Sequence, residues 1–295
     1  MTSRRLFLET TAISGVSAAL LALTSALQAQ AASPKRTRQP VLFIGHGSPM
    51  NAIRTNAFTS ALSNWGKRLQ APTAILVVSA HWLTRGATGI TANEQPPTIH
   101  DFSGFPRQLH EMRYPAKGHP ELALAAAKLI KSNPSVPTTQ WGLDHGTWTV
   151  LHHLFPDANV PVFQVSIDYD KPGAFHYAVG RELQALRDQG VLIIGSGNIV
   201  HNLRATDRGT PDSKSASRPW AQAFDASVKA ALDQREDKAL QAYLALDESA
   251  KMAVPTPDHY WPLIYALGAA GDTAPTHVFE EFHSGTISMR CLQFA

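Results

Sequence analysis

The chain has 295 residues, 44% of them apolar and 17% charged, which allows one large hydrophobic core and excludes a disordered protein. The formal net charge is only +3, and no long run of lysine and arginine marks a nucleic-acid surface, so we expect no nucleic-acid partner. The single cysteine, Cys291, excludes an internal disulfide and a thiolate metal cluster. The chain has thirteen histidines, so any metal site must be built from imidazole and carboxylate ligands.

The first 31 residues have the features of an export signal. Arg4 and Arg5 precede a moderately apolar stretch, residues 10–27, which is followed by a small-x-small cleavage pattern at residues 29–31. Paired arginines are typical of a twin-arginine signal, which a receptor reads and which is not an anchor. A transmembrane helix is the weaker alternative, because serine, threonine and glycine dilute the apolar stretch. We therefore expect a signal peptide at residues 1–31, export by the twin-arginine machinery, no membrane anchor after cleavage and a periplasmic location.

After a short tether, residues 32–39, the rest of the chain is predicted to form one catalytic domain, residues 40–295. Short apolar runs predict strands at residues 41–44, 74–78, 160–167, 191–194 and 286–294. Apolar residues at helical spacing predict helices at residues 56–69, 120–130, 174–186, 219–232 and 239–246. Continuous apolar strands that alternate with amphipathic helices are typical of a sheet covered on both faces. The sequence therefore predicts an α/β fold, a three-layer α/β/α sandwich with a mostly parallel sheet.

Three histidines stand near the ends of predicted strands. His46 follows the first strand, His81 ends the second and His201 comes shortly after the fourth. Because ligands in open α/β sheets bind beyond the carboxyl ends of the strands, we expect these imidazoles to converge at one edge. The glycines near His46 and His201 permit tight turns, but neither stretch has the spacing or the lysine of a phosphate-binding loop. A shared Fe(II) or Zn(II) ion is the favoured interpretation, and separate structural histidines are the alternative.

Two more histidines lie in segments rich in turn residues and aromatic side chains. His145 lies within residues 141–148, and His259 lies within residues 255–261. Either could join a site at the same edge, although a hydrogen-bonded structural role suits each one taken alone. The histidines on helical or surface-like stretches are interpreted as structural. They are His110, His119, His152, His153, His176, His277 and His283.

Two loops could border a substrate pocket. In residues 101–106, next to His100, the side chains of Phe102 and Phe105 could contact an aromatic ring, although ordinary loop packing explains them equally well. Residues 205–218 form a long polar stretch inside the domain, which predicts a lid or a rim.

Six short motifs occur in an order similar to that of a known family. Together they resemble the DOPA-dioxygenase type of extradiol ring-opening enzymes, in the class III or LigB-like superfamily, from about residue 40 to the C terminus. The resemblance implies a three-layer α/β/α fold, one non-haem metal ion, a catechol-type aromatic substrate and molecular oxygen. The motifs are residues 45–49, 79–82, 101–106, 144–148, 195–203 and 257–260.

The resemblance also implies roles for individual residues. By position, His46, His81, His201 and His259 match the metal-site histidines of the family, and His145 matches a pocket histidine that exchanges protons with the substrate or an oxygen intermediate. Because the wider superfamily uses two histidines and a glutamate, His201 is either a ligand or an acid/base group beside the metal. Fe(II) is expected for turnover, with Zn(II) as the alternative bound metal, since zinc has no redox chemistry.

Two other functions also fit the histidines. A zinc-dependent hydrolase, with metal-bound water as the nucleophile, accounts for the imidazoles but not for the aromatic loops. A non-catalytic periplasmic protein that binds a metal or a ligand ranks third, because the resemblance spans nearly the whole chain after the leader. The sequence therefore predicts a metal-dependent extradiol dioxygenase that cleaves a DOPA-like catechol with O₂.

Overall fold

The computed structural model describes residues 37–207 and 216–295, and residues Arg38–Ala295 form one compact unit. The predicted signal peptide and most of the predicted tether lie outside the described residues, as do residues 208–215 of the predicted rim loop. Within the described ranges, no helix is both long enough and apolar enough to cross a membrane.

A mixed eight-stranded sheet forms the centre of this unit. In chain order the strands are β1 (Val41–Gly45), β2 (Ala74–Thr84), β3 (Thr88–Thr91), β4 (Ser135–Thr138), β5 (Val162–Asp168), β6 (Val191–Gly197), β7 (Pro275–Phe279), β8 (Phe282–His283), β9 (Ile287–Ser288) and β10 (Cys291–Phe294). The order across the sheet is β4-β3-β5-β2-β6-β1-β10-β7, and β8 pairs with β9 separately. The four central strands, β5, β2, β6 and β1, are parallel, whereas β3 and β10 are antiparallel to their inner neighbours. The predicted mostly parallel sheet is confirmed, with antiparallel pairing toward both edges.

The central strands are buried on both faces. In β1, Val41 and Phe43 belong to one hydrophobic core, and Leu42 and Ile44 belong to the other, because successive side chains of a strand point to opposite faces. All residues of β5 and β6 are likewise buried. This two-sided burial is the physical reason why these strands read as uninterrupted apolar runs.

Helices cover the two faces of the sheet and complete the predicted three-layer sandwich. On one face α3, α5, α6 and α9 contribute to the core, and on the other face α1 and α4 do so. Short 3-10 helices occupy Pro49–Ile53, Gln184–Gln189, Tyr243–Ala245 and Pro257–His259. The α-helices are α1 (Ala57–Gly66), α2 (Arg107–Glu111), α3 (Pro120–Leu129), α4 (His145–Leu154), α5 (Gly173–Leu183), α6 (Pro219–Asp233), α7 (Asp237–Gln241), α8 (Ala250–Ala253) and α9 (Trp261–Ala270).

The second strand is longer than the sequence predicts, and this changes the setting of His81. The sequence predicts that His81 ends this strand, but β2 continues to Thr84. The pairing of β2 with β5 shifts in register between Val78 and Leu83, which marks a bulge. A bulge bends a strand and redirects its side chains. His81 therefore lies inside an irregular strand and not at its end.

Two further elements differ from the prediction for different reasons. All ten residues of α9 are buried, so this helix lacks the polar face that would reveal helical spacing. The predicted strand at residues 286–294 is divided into β9 and β10, and the buried Arg290 between them forms an ion pair with Asp225 of α6. A buried arginine needs a charged partner, and Arg290 finds one in Asp225. This interrupts the alternating apolar pattern of the predicted strand.

Candidate active site

His46 lies at the carboxyl end of β1, and its neighbours determine which ring nitrogen carries the proton. Its backbone N–H donates to the carbonyl of Gly197 (3.0 Å), which joins the ends of β1 and β6. Its Nδ1 lies 2.9 Å from the hydroxyl of Ser196, and that hydroxyl donates to the carbonyl of Gly146 (2.5 Å). A hydroxyl has one hydrogen, so Ser196 must accept from Nδ1–H of His46. The unprotonated Nε2 of His46 therefore faces the other histidines.

His81 reaches the same point from β2. Its Nε2 lies 3.2 Å from Nε2 of His46, and its Nδ1 lies 3.5 Å from a carboxylate oxygen of Asp101. A Cβ atom on Gly146 would lie only 2.8 Å from the His81 ring. The glycine at the start of α4 therefore leaves the space that this imidazole occupies.

His145 is the first residue of α4, and two aspartates hold it in place. Asp144 caps the helix by accepting from the backbone N–H of Thr147 (3.2 Å). The two oxygens of Asp101 lie 2.9 Å from the backbone nitrogen of His145 and 2.9 Å from its Nδ1. An ionised carboxylate can only accept, so Nδ1–H donates, and in the neutral imidazole Nε2 is the unprotonated nitrogen.

His201 and His259 are brought together by the loop after β6 and the 3-10 helix Pro257–His259. Their rings stack in parallel, 3.5 Å apart and inclined by 7°. Asp258 accepts a hydrogen bond from Nδ1 of His259, and the carbonyl of His259 accepts from the backbone N–H of Asn198 (2.8 Å). A Cβ atom on Gly197 would lie 2.2 Å from that carbonyl oxygen, so the close approach requires glycine.

The five imidazoles form one cluster, and the surroundings of three of them favour the neutral form. The ring centroid of His46 lies 5.1 Å from that of His81, 5.2 Å from that of His259 and 5.8 Å from that of His145. Burial lowers the pKa of His46, His81 and His201 well below 6.5, and repulsion from neighbouring histidines lowers it further. Neutral imidazole is the form that binds a metal ion.

The two aspartates that contact the cluster are ionised. Burial raises the pKa of Asp101 and of Asp258, but their hydrogen bonds to His145 and His259 outweigh it, so the pKa of each carboxyl falls below its usual value. An anionic carboxylate on the far nitrogen of a histidine fixes the ring and increases the basicity of the near nitrogen.

His46 and His81 are spaced to share one divalent transition-metal ion. Two ligands that are each about 2.1 Å from a tetrahedral ion lie about 3.4 Å apart, and the Nε2 atoms of His46 and His81 are 3.2 Å apart. Imidazole nitrogen suits Fe(II) and Zn(II), so the residues fit the predicted metals. In two groups the potential ligand atoms lie within 4.8 Å of one another: His46, His81 and His145, and His201, Asp258 and His259.

A cavity of about 770 Å³ adjoins the cluster, a size that accommodates a small organic ligand. All five histidines line it, together with Phe102 and Phe105 of the predicted aromatic loop. Thr206 and Asp207, from the start of the predicted rim loop, also line it. The buried His283 lines the cavity as well, although its sequence context suggests only a structural role.

Three contributors to the site are not found by sequence reasoning. Asp258 directly precedes His259, and Asp101 stands in the aromatic loop, so a search for acidic residues beside the candidate histidines would have found the first and suggested the second. Ser196 contacts His46 across 150 positions of sequence. No local pattern predicts that contact, because it depends on the adjacent placement of β1 and β6.

The fold and the site together define a metal-dependent α/β enzyme with an open, aromatic-lined cavity. A family profile described as the catalytic LigB subunit of aromatic ring-opening dioxygenase matches residues 39–291, which include every histidine of the cluster. The chain therefore belongs to the LigB family of aromatic ring-opening dioxygenases, which confirms the predicted class of enzyme.

Several known proteins are similar to this chain over most of its length. A 4,5-DOPA dioxygenase extradiol from Escherichia coli (strain K12) is 47% identical over 87% of this chain and 95% of its own. One of the same name from Beta vulgaris is 38% identical over 83% of this chain and 92% of its own. The crystal structure of an uncharacterized E. coli K12 protein superimposes with a TM-score of 0.75 at 41% identity, covering 88% of this chain and all (100%) of that one.

Proposed function

We propose that this enzyme opens the ring of a DOPA-like catechol outside its two hydroxyl groups, with O₂ as the second substrate. The observation that carries the proposal is the convergence of five imidazoles on one cavity that also has aromatic walls. The family supports ring opening, and the names of the E. coli and B. vulgaris relatives support an extradiol position and a DOPA-like substrate.

The proposed metal ligands are His46, His81, His201 and His259. Ser196 and Asp258 hold the Nδ1–H groups of His46 and His259, which directs their unprotonated Nε2 atoms toward the other histidines. Fe(II) bound here would supply the electron transfer between catecholate and O₂, which Zn(II) cannot supply. The protein provides the ligand geometry and the orientation of each ring.

His145 is the proposed acid/base group. Its ring lines the cavity, and Asp101 holds Nδ1–H, so Nε2 is positioned to accept a proton from a catechol hydroxyl. The ionised Asp101 would stabilise the imidazolium that results. His145 would then hold this proton in the cavity, ready to return it to the opened ring.

The aromatic side chains of residues 101–106 would position the substrate ring. Phe102 and Phe105 pack edge to face, with centroids 5.3 Å apart, and Phe102 lies 5.5 Å from the ring of His145. A catechol beside His145 would contact Phe102 at an edge-to-face distance that favours aromatic pairs. These side chains would also exclude water from the reacting ring.

Oxygen uptake by protein loaded with Fe(II) under anaerobic conditions tests the proposed function. We expect one O₂ consumed for each catechol opened and a yellow ring-opened product, with zinc-loaded protein as the inactive control. Absence of oxygen uptake with every catechol tried, in protein that retains Fe(II), would contradict the proposal.

We also propose that residues 1–31 export the folded enzyme to the periplasm through the twin-arginine machinery. The support is the sequence pattern of Arg4 and Arg5 before an apolar stretch. Fractionation of cells that produce the full chain should place it in the periplasm, and the double substitution Arg4→Lys with Arg5→Lys should retain it in the cytoplasm. Lys35→Gln, outside the signal, is the matched control, and equal distribution of all three proteins would contradict the export route.

A further inference from the structure

The cavity carries two opposite full charges apart from its histidines. Among the described residues that line it, Arg54 is the one guanidinium and Asp207 is the one carboxylate. Arg54 is solvent-exposed and Asp207 is half-buried. The catalytic proposal above gives neither residue a role.

The 3-10 helix Pro49–Ile53 connects Arg54 to His46. Its residue Asn51 donates from Nδ2 to the carbonyl of His46 (3.2 Å), and its carbonyl accepts from Nε2 of His153 on α4 (2.8 Å). Arg54 follows this helix directly as its C-terminal cap residue. The guanidinium is therefore carried by a backbone segment anchored both to a proposed metal ligand and to α4.

Asp207 is connected to His201 in a similar way. The side chain of Asn202 accepts from the backbone N–H groups of Arg204 (3.1 Å) and Ala205 (3.2 Å), which orders the turn after His201. The backbone N–H of Asp207 donates to the carbonyl of Ser284 (3.0 Å). The two charges thus belong to segments that begin at different histidines of the cluster and line one cavity.

Apolar side chains line the same cavity. Phe102, Phe105 and Ile287 are among them, so an aromatic ring can lie there with its hydroxyl groups at the histidines. A side chain on that ring, on the carbon opposite the hydroxyl groups, would extend away from the histidines. A guanidinium matches a carboxylate in geometry and charge, and its five N–H donors allow it to hold one while keeping another partner.

We propose that Arg54 and Asp207 bind the charged side chain of the substrate, Arg54 through its carboxylate and Asp207 through its ammonium group. The two residues would then discriminate among catechols by the charge of the side chain. This inference rests on the proposed ring-opening function, because it assumes that the catechol end of the substrate lies at the histidines.

Four catechols with different charges on the side chain test the assignment. They are L-DOPA (both charges), 3-(3,4-dihydroxyphenyl)propionate (carboxylate only), dopamine (ammonium only) and 4-methylcatechol (neutral). Arg54→Met should raise KM by about 10-fold for the two carboxylates and by less than about 2-fold for the others, since one charge-assisted hydrogen bond at an exposed site contributes modestly. Asp207→Asn should show the converse pattern, with weaker binding of L-DOPA and dopamine. Arg107→Met, whose side chain is 90% exposed outside the cavity lining, is the matched control and should leave all four KM values unchanged.

Binding to zinc-loaded protein, measured by calorimetry without turnover, separates this inference from the proposed function. If the wild-type enzyme opens no catechol, the ring-opening function fails, and the calorimetric series still tests the two charges. If Arg54→Met weakens the binding of all four ligands equally, or of none of them, the assignment of Arg54 is wrong. Arg54→Lys keeps the charge but not the planar fork, so partial retention of carboxylate preference supports the assignment. A carboxylate preference as strong in Arg54→Lys as in the wild type would overturn a bidentate contact through the guanidinium fork.

Discussion

Buried histidines occur in two very different settings in this molecule. One setting is the cluster at the end of the sheet, and the other is the core between α5 and α9, where His176 is completely buried. The ring of His176 packs against Trp261 (4.7 Å between centroids) and Tyr265 (5.2 Å), and its Nε2 donates to the carbonyl of Lys171 (3.0 Å). Burial lowers its pKa to about 4.

His46, His81 and His201 share burial and a lowered pKa with His176, so neither property identifies a site. The two settings differ in what holds each ring. In the cluster, a hydroxyl or carboxylate holds Nδ1 of His46, His145 and His259, and all three rings line the cavity. His176 is held by a backbone carbonyl and by aromatic rings, within a core of apolar side chains. The partner of the far nitrogen and access to a cavity distinguish the functional histidines.

Removal of a cluster imidazole should have the largest effect. We expect His46→Ala to lower metal affinity by more than the roughly 100-fold that loss of an outer partner costs, and to abolish oxygen uptake. His176→Phe should retain the metal and the activity. Metal content per chain after dialysis, together with oxygen uptake, checks both variants, and a metal-binding His46→Ala protein would contradict the assigned ligand.

Substitution of the proposed acid/base group should have the next largest effect. His145→Gln should lower kcat by about 100- to 10,000-fold, while metal content stays at the wild-type level because the proposed ligands remain. Steady-state oxygen uptake and metal analysis of the same sample check this. Loss of the metal together with activity would instead make His145 a ligand.

Removal of the Ser196 hydroxyl should have an intermediate effect. Ser196→Ala leaves Nδ1 of His46 without the acceptor that selects its tautomer, so we expect metal affinity to fall by about 10- to 100-fold. Competition with a chelator of known affinity measures it. Ser60→Ala, an exposed serine of α1, is the control, and equal affinities for the two variants would argue against tautomer selection.

The smallest expected effect concerns stability, and it belongs to His176. Its pKa is about 6.5 in the unfolded chain and about 4 in the folded one, so the unfolded chain takes up the proton first as the pH falls. The stability that the neutral ring contributes is complete above pH 6.5 and is lost as the pH falls toward 4. Between pH 7 and pH 5 the metal-free wild type should lose about 2 kcal/mol more than His176→Phe. Urea denaturation at both pH values measures the difference, and parallel losses would show that His176 titrates normally.

A strand could be predicted where its own residues form an uninterrupted apolar run. Residues 41–44 and 191–194 are uninterrupted apolar runs and form the cores of β1 and β6. By contrast, β3 and β4 are only four residues long and carry no such run, so their presence depends on pairing with strands already in place. The fully buried α9 was missed for a related reason, since its composition reflects the core around it and not a helical stripe.

The sequence by itself determined which imidazoles stand near the carboxyl ends of buried strands, because the apolar run and the residue that follows it are neighbours in the chain. Only the tertiary structure decided how those imidazoles are held. The contacts of Ser196 with His46 and of Asp101 with His145 join segments that are distant in sequence. Strand order and the bulge in β2 bring them together, and both result from packing that no local pattern records.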